Sequence, residues 1–186
     1  GFSILVSQYY GAREWEKLKK SVAYSYVLTG VFAFLVLAVS QLAIHRVMIF
    51  LNTPENIVGM SMLYLRIVFC GIPVISAYNI LAAILRAMGN SRSPLIAMIL
   101  ASVINVALDF LFVAGFGWGV AGAAIATVIA QGFSAVYCFC VLRKVDLLHL
   151  EKKHFRFDVG LIYRLLYLGA PIAIQNVIIS IGGLVV

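Results

Sequence analysis

Charge is what this chain has least of. Only 11% of its 186 residues are Asp, Glu, Lys or Arg, whereas a soluble domain carries about 25%, so an ordinary water-soluble globule is excluded. Of the seven acids, Glu14, Glu16, Glu55, Asp146, Glu151 and Asp158 sit in polar connections, and Asp109 alone lies deep inside an apolar run. The three cysteines, Cys70, Cys138 and Cys140, all fall in apolar stretches and read as small buried hydrophobes, which excludes a disulfide framework. Histidine is as scarce: His149 and His154 are out of helical register for a metal pair, and His45 reads as an interfacial polar residue. No H-E-x-x-H, G-x-S-x-G or acid-rich metal motif occurs, so nothing marks an enzyme and no catalytic residue is assigned.

What is present is hydrocarbon. The chain is 63% hydrophobic with a mean hydropathy of +1.05, and its uncharged runs have the length, about 20 residues, that spans a bilayer as a helix. The expected fold is all-α, a polytopic transmembrane bundle. Its spans are expected at about 22–44, 62–85, 94–114 and 119–142, after the end of an earlier helix closing near Gly11. A polar connection over 143–164, mixing Leu and Phe with bases as a surface-resting segment would, precedes a further apolar run over 165–186. Both ends of the sequence fall inside apolar runs, so the chain is expected to be a piece of a longer protein.

The net charge of +7 would suit nucleic acid if it were pooled, and it is not. Arg13, Lys17, Lys19 and Lys20 share one connection, Arg86 and Arg92 another, and Arg143, Lys144, Lys152, Lys153, Arg156 and Arg164 a third. The connections between hold only Arg46 and Arg66. That alternation is the positive-inside pattern, which puts the basic connections in the cytoplasm, the Gly115–Gly119 turn outside, and the protein in the plasma (inner) membrane as a multi-pass chain. The partners expected of the basic clusters are membrane lipids, with no nucleic acid.

The hairpin over 93–144 holds the candidate site. A carboxylate in a span costs on the order of 2.5–3.5 kcal/mol on insertion scales and needs a partner, a wet cavity or a proton. Asn105 is one turn from Asp109 on the same face, and Ser102 continues that stripe. With the turn centred near Trp118, Asp109 and Thr127 lie at equal offsets and hence at equal depth, roughly 10–13 Å below the surface. Gln131 and Ser134 extend the Thr127 stripe along the second arm. Carboxylate, amide and hydroxyl oxygens are hard donors suited to Na⁺ or a proton, with no other metal or cofactor expected. The plainer alternative is that they hydrogen-bond across the pair and hold it together, at about 0.6–2 kcal/mol each.

Punctuation elsewhere is sparse. Thr53, Pro54 and Glu55 carry a helix-start signal, and the helix that follows is expected to reach Arg86. Pro73, inside that helix beside Gly71, removes a hydrogen bond and predicts a kink. Gly89 and Asn90 mark a turn, Pro94 a helix start, and Asp158 a cap for the last helix, which contains Pro171.

These residues together resemble the multidrug and toxic compound extrusion (MATE) family over essentially the whole chain. The carrying motifs are Ser7-Gln8 with Gly11-Ala12, Leu85-Arg-Ala-Met-Gly89 with Ser93-Pro94, Asn105-x3-Asp109, and Gly119-Val-Ala-Gly-Ala-Ala-Ile-Ala-Thr127. The resemblance implies a transporter of twelve helices in two lobes. On it, residues 1–142 are a partial first lobe (the end of helix 2, then helices 3 to 6), 143–164 is the inter-lobe connection, and 165–186 starts helix 7. It also implies secondary antiport, in which Na⁺ or H⁺ drives export of small, often cationic, organic compounds by alternating access in a protein that is monomeric at full length. In the DinF-like branch the first-lobe cation site falls on Asp109, Asn105 and Thr127, with a helix 4 tyrosine at Tyr64. Ser102, Gln131 and Pro73 then line the cavity or form its hinge. The run after Pro171, Ile-Ala-Ile-Gln-Asn-Val-Ile-Ile-Ser180, lacks the helix 7 acid of the NorM-like branch. Two other readings remain: a lipid-linked oligosaccharide flippase of the same superfamily, which would be expected to carry deep cavity bases, and a membrane scaffold that transports nothing.

Overall fold

A computed structural model describes residues 2–50, 55–145 and 159–185. Helix follows helix: α1 (Phe2–Gly11), α2 (Trp15–Phe50), α3 (Glu55–Cys70), α4 (Ile72–Ala87), α5 (Arg92–Asp109), a π-helical segment (Phe110–Gly115), α6 (Gly119–Arg143) and α7 (Val159–Val185). Among the described residues there is no strand, as hydrocarbon demands of a chain that must satisfy its backbone internally. The Thr53–Pro54 start signal, His149, His154 and most of the basic connection after Arg143 lie outside the described residues. Helix α7 begins at Val159, so the polar connection expected to run to 164 ends earlier, and Arg164 stands on the helix.

Large side chains face outward. Leu42 is 83% exposed and Phe110 71%, an arrangement that water would penalise at about 1.5–3 kcal/mol per side chain and that lipid does not. Cys70 and Cys140 belong to this outer surface, and only Cys138 is buried. The expectation that all three pack inside therefore holds for one, because in lipid an apolar residue need not face protein. The core gathers at one end, where Val6 of α1, Leu18 and Val22 of α2, Ile84 and Leu85 of α4 and Leu142 of α6 close on one another. A second, smaller cluster buries Tyr24 against Leu5 and Leu165.

The α3–α4 pair is an apolar helical run broken in the middle. Gly71 separates the two helices, and their axes bend by 41°. Pro73 offers no N–H to the Phe69 carbonyl and its ring crowds that carbonyl, so the ladder opens here. The amides on either side remain paired: Gly71 donates to Ile67 and Val68 carbonyls at 3.1 and 2.9 Å, and Ile75 donates to Gly71 at 3.0 Å. The amide of Gln41 on α2 clasps the break from outside, donating to the Arg66 carbonyl at 3.1 Å and reaching Cys70 Sγ at 3.4 Å. The expected kink at Pro73 is therefore present in the backbone.

The bend rests on α6 at Gly71. A methyl added at Gly71 would stand 2.6 Å from Val128 Cγ2, so the absence of a side chain is what lets the elbow seat. At its far end α4 closes on Gly89, whose φ of +84° lets Asn90 N–H reach the Leu85 carbonyl at 2.9 Å, a left-handed helix stop. Asn90 Oδ1 then accepts from Ser93 N–H at 3.1 Å and starts α5.

Candidate functional site on the α5–α6 hairpin

Two antiparallel helices build the site. Asn105 Nδ2 of α5 donates to Thr127 Oγ1 of α6 at 3.4 Å, and the Thr127 hydroxyl donates back to the Ala123 carbonyl at 3.0 Å. About two turns further, Ser134 Oγ donates to the Ala97 carbonyl at 2.9 Å across the same interface. Small residues make this approach close: Ala97, Ala101, Ala126 and Ala130 are buried along the seam.

These contacts fix the register, and it differs from the expected one. Asn105, and not Asp109, is level with Thr127, so Asp109 lies one helical turn nearer the connecting turn. The reason is the π-helical segment. There Phe116 N–H donates to Leu111 O and Trp118 N–H to Phe112 O, both at 2.9 Å, instead of to carbonyls four residues back. More residues per turn means less climb per residue, so the first arm spends more chain than the second to reach a given depth. Three rings, Phe112, Phe116 and Trp118, stack over this segment with Phe112 and Trp118 centroids 5.1 Å apart. They seat on Gly122, where a Cβ would meet Phe112 Cβ at 3.0 Å and Trp118 Cβ at 3.1 Å.

A cavity of about 130 Å³ opens beside the seam, lined by Tyr78, Ser102, Asn105, Thr127, Gln131 and Ser134 among others. It brings together four of the expected residues: Ser102, Asn105, Thr127 and Gln131. Ser102 Oγ is spent on the Met98 carbonyl at 3.1 Å, but Gln131 Oε1 is buried without a hydrogen-bond partner. Asp109 does not line this cavity. Its Oδ1 is likewise buried and unpartnered, one turn away along α5. The Asp109 carboxylate oxygen, a hard acceptor without a donor, is suited to a small cation or to a proton.

Tyr64 and Pro73 stand elsewhere. Tyr64 is on α3, 37% exposed, and does not reach the cavity. The tyrosine that does is Tyr78 on α4, whose hydroxyl lies 3.4 Å from the Pro94 carbonyl. Sequence reasoning missed it because the bend at Gly71 turns α4 onto the hairpin and leaves α3 at another angle. A tyrosine about a turn and a half beyond a proline kink is the signal that could have been followed. Pro73 lines a separate, largely apolar groove of about 340 Å³ between α2 and α4, with Tyr26, Gly30, Phe34 and Ile80.

A family model described as MatE matches residues 1–111. A probable multidrug resistance protein of Bacillus subtilis, YoeA, is 30% identical over 194 aligned positions that take in all of this chain and 42% of that protein. An inward-facing MATE family transporter of the MOP superfamily superposes with a TM-score of 0.86 at 25% identity, over 92% of this chain and 39% of that one. An outward-facing structure from the same family superposes at 0.89 with 23% identity, over 97% and 41%, a likeness of fold alone. The chain thus spans about two fifths of the length of the proteins it matches.

Proposed function

The chain belongs to the MATE family, and on that premise we propose that it forms the greater part of the first lobe of a cation-coupled antiporter exporting small organic compounds. The observation that carries this reading is the orphaned Asp109 Oδ1, buried in a membrane helix one turn from the Asn105–Thr127 contact. A scaffold has no use for it. An unpaired carboxylate at that depth is costly, and Na⁺ or H⁺ is the cheapest partner that the two aqueous phases can both supply.

Coupling then needs only that the occupied and empty sites prefer different conformations. Asp109 takes up the cation, which is a transported substrate here and not a resident metal. Asn105 and Thr127 contribute neutral oxygens on the adjoining turn, and the broken α3–α4 span, seated on Val128 beside Thr127, is the element whose packing the occupied site biases. The basic connections are cytoplasmic, so export runs toward the Gly115–Gly119 turn.

The test is efflux of a fluorescent organic cation from vesicles holding the complete transporter, with a Na⁺ gradient and a pH gradient imposed in turn. Asp109→Asn keeps shape and removes the charge, and its efflux is expected to fall to background under whichever gradient drives the wild type. Wild-type efflux by Asp109→Asn would return the residue to a helix-packing role.

A further inference from the structure

Away from the hairpin, at the end of the bundle where α1 turns into α2, three cations converge on one cavity. Lys17 and Lys20, three residues apart and so on one face of α2, and Arg164 of α7 line a space of about 320 Å³ with Tyr9, Gly160 and Leu161. Arg164 is the one charged residue in the 27 of α7. Lys17 Nζ pairs with Glu14 Oε2 at 3.0 Å at the cavity's solvent side, where both side chains are well exposed. Lys17 also lies 6.0 Å above the Tyr9 ring, which holds its stem at the cavity wall.

The floor is of opposite character. Leu5, Tyr24 and Leu165 form a fully packed apolar cluster, and Tyr9 and Leu161, which line the basic cavity, pack on that cluster as well, with Leu28 and Ile162. A surface basic on one side and apolar immediately beneath, at the polar end of two long apolar helices, matches an anion that carries an apolar tail. A soluble anion would use the cations and leave the half-buried Tyr9 and Leu161 side chains uncovered. Bases between membrane helices at this level are where phospholipid headgroups are held.

We propose that Lys17, Lys20 and Arg164 form a binding site for the phosphate of an anionic phospholipid, with its glycerol and acyl stems lying on the Tyr9–Leu161 shelf. The site joins α1 and α2 to α7, so a bound lipid ties the first four-fifths of the chain to the helix that begins the next lobe. It rests on the membrane reading given above but not on the coupling site, since lipid binding is measured without transport.

The experiment is equilibrium titration of the complete transporter in mild detergent with a fluorescent short-chain phosphatidylglycerol, with unlabelled phosphatidylglycerol, phosphatidylcholine or inorganic phosphate as competitors. Lys20→Gln with Arg164→Gln is expected to weaken binding roughly 10- to 30-fold, the effect of two lost charges at a lipid interface. The charge-matched pair Lys19→Gln with Lys144→Gln, outside the cavity, is expected to change it less than about twofold. Lys20→Arg with Arg164→Lys, which keeps both charges, is expected to retain binding and so separates lost recognition from lost folding. Equal weakening by both Gln pairs would overturn the proposal in favour of diffuse surface attraction. Displacement by inorganic phosphate as effective as by phosphatidylglycerol would assign the site to a soluble anion, and equal displacement by phosphatidylcholine would remove the requirement for negative charge.

Discussion

Replacing Gly71 by Ala tests whether the elbow in the α3–α4 span is held by packing or by Pro73 alone. The backbone at Gly71 is right-handed, φ −75° and ψ −13°, so Ala is sterically permitted, and reduced unfolded-state freedom would contribute about 0.5–1 kcal/mol of stability. Against this, the new Cβ would stand 2.6 Å from Val128 Cγ2 and 3.0 Å from the Val68 carbonyl, where carbon atoms prefer about 3.5–4.0 Å. Val128 is β-branched and in a helix strongly prefers a single rotamer, and its other methyl is 3.4 Å from the same point. Overpacking of this kind costs about 1–3 kcal/mol, so the net expectation is a loss of about 1–2 kcal/mol. Gly59→Ala is the control: it sits in α3 with nothing within 4 Å of the new methyl, and only the favourable backbone effect, about 0.5–1 kcal/mol, should remain. The assay is the denaturation midpoint of the complete transporter in mild detergent, run as a cycle with Val128→Ala. Trimming Val128 should recover most of the Gly71→Ala loss, a favourable coupling of about 1 kcal/mol or more. A Gly71→Ala protein as stable as wild type, or one that Val128→Ala fails to rescue, would refute the reasoning.

Other expectations follow from the same contacts. Gly122→Val should destabilise by about 1–3 kcal/mol by driving Phe112 and Trp118 apart, visible as loss of the near-ultraviolet aromatic circular dichroism before loss of helix. Thr127→Val removes the acceptor of the Asn105 bond while keeping the branched shape; it should cost about 0.6–2 kcal/mol and weaken coupled efflux less than Asp109→Asn does. In a background with Cys70, Cys138 and Cys140 replaced by Ala, a membrane-impermeant maleimide added to intact cells should label Ala114→Cys and spare Ser91→Cys; the reverse pattern would invert the proposed orientation.

How much could be read before any coordinate was known depends on which physical constraint dominated. The spans and the all-helical class were legible because hydrocarbon leaves a backbone no alternative: runs such as the one between Arg66 and Arg86 must be helical and must cross. Pro73 was legible for a covalent reason, a missing N–H and a ring in the way. Asp109 stood out because a lone acid in an apolar run is expensive wherever it falls. The side each helix turns to its neighbours was not legible, because lipid and protein accept the same apolar side chains. Cys70 and Cys140 therefore went outward, and Tyr78 rather than Tyr64 reached the polar cavity. Nor could counting residues from Trp118 give the pairing of α5 with α6. The π-helical segment forms where Phe112, Phe116, Trp118 and Gly122 pack together, and that tertiary contact shortens one arm and sets Asn105, instead of Asp109, opposite Thr127. Sequence by itself determined that this chain crosses a membrane and carries a buried acid within it; which oxygens that acid meets was decided by how two apolar helices slid against each other, a matter of side-chain shape and of one turn of altered helical pitch.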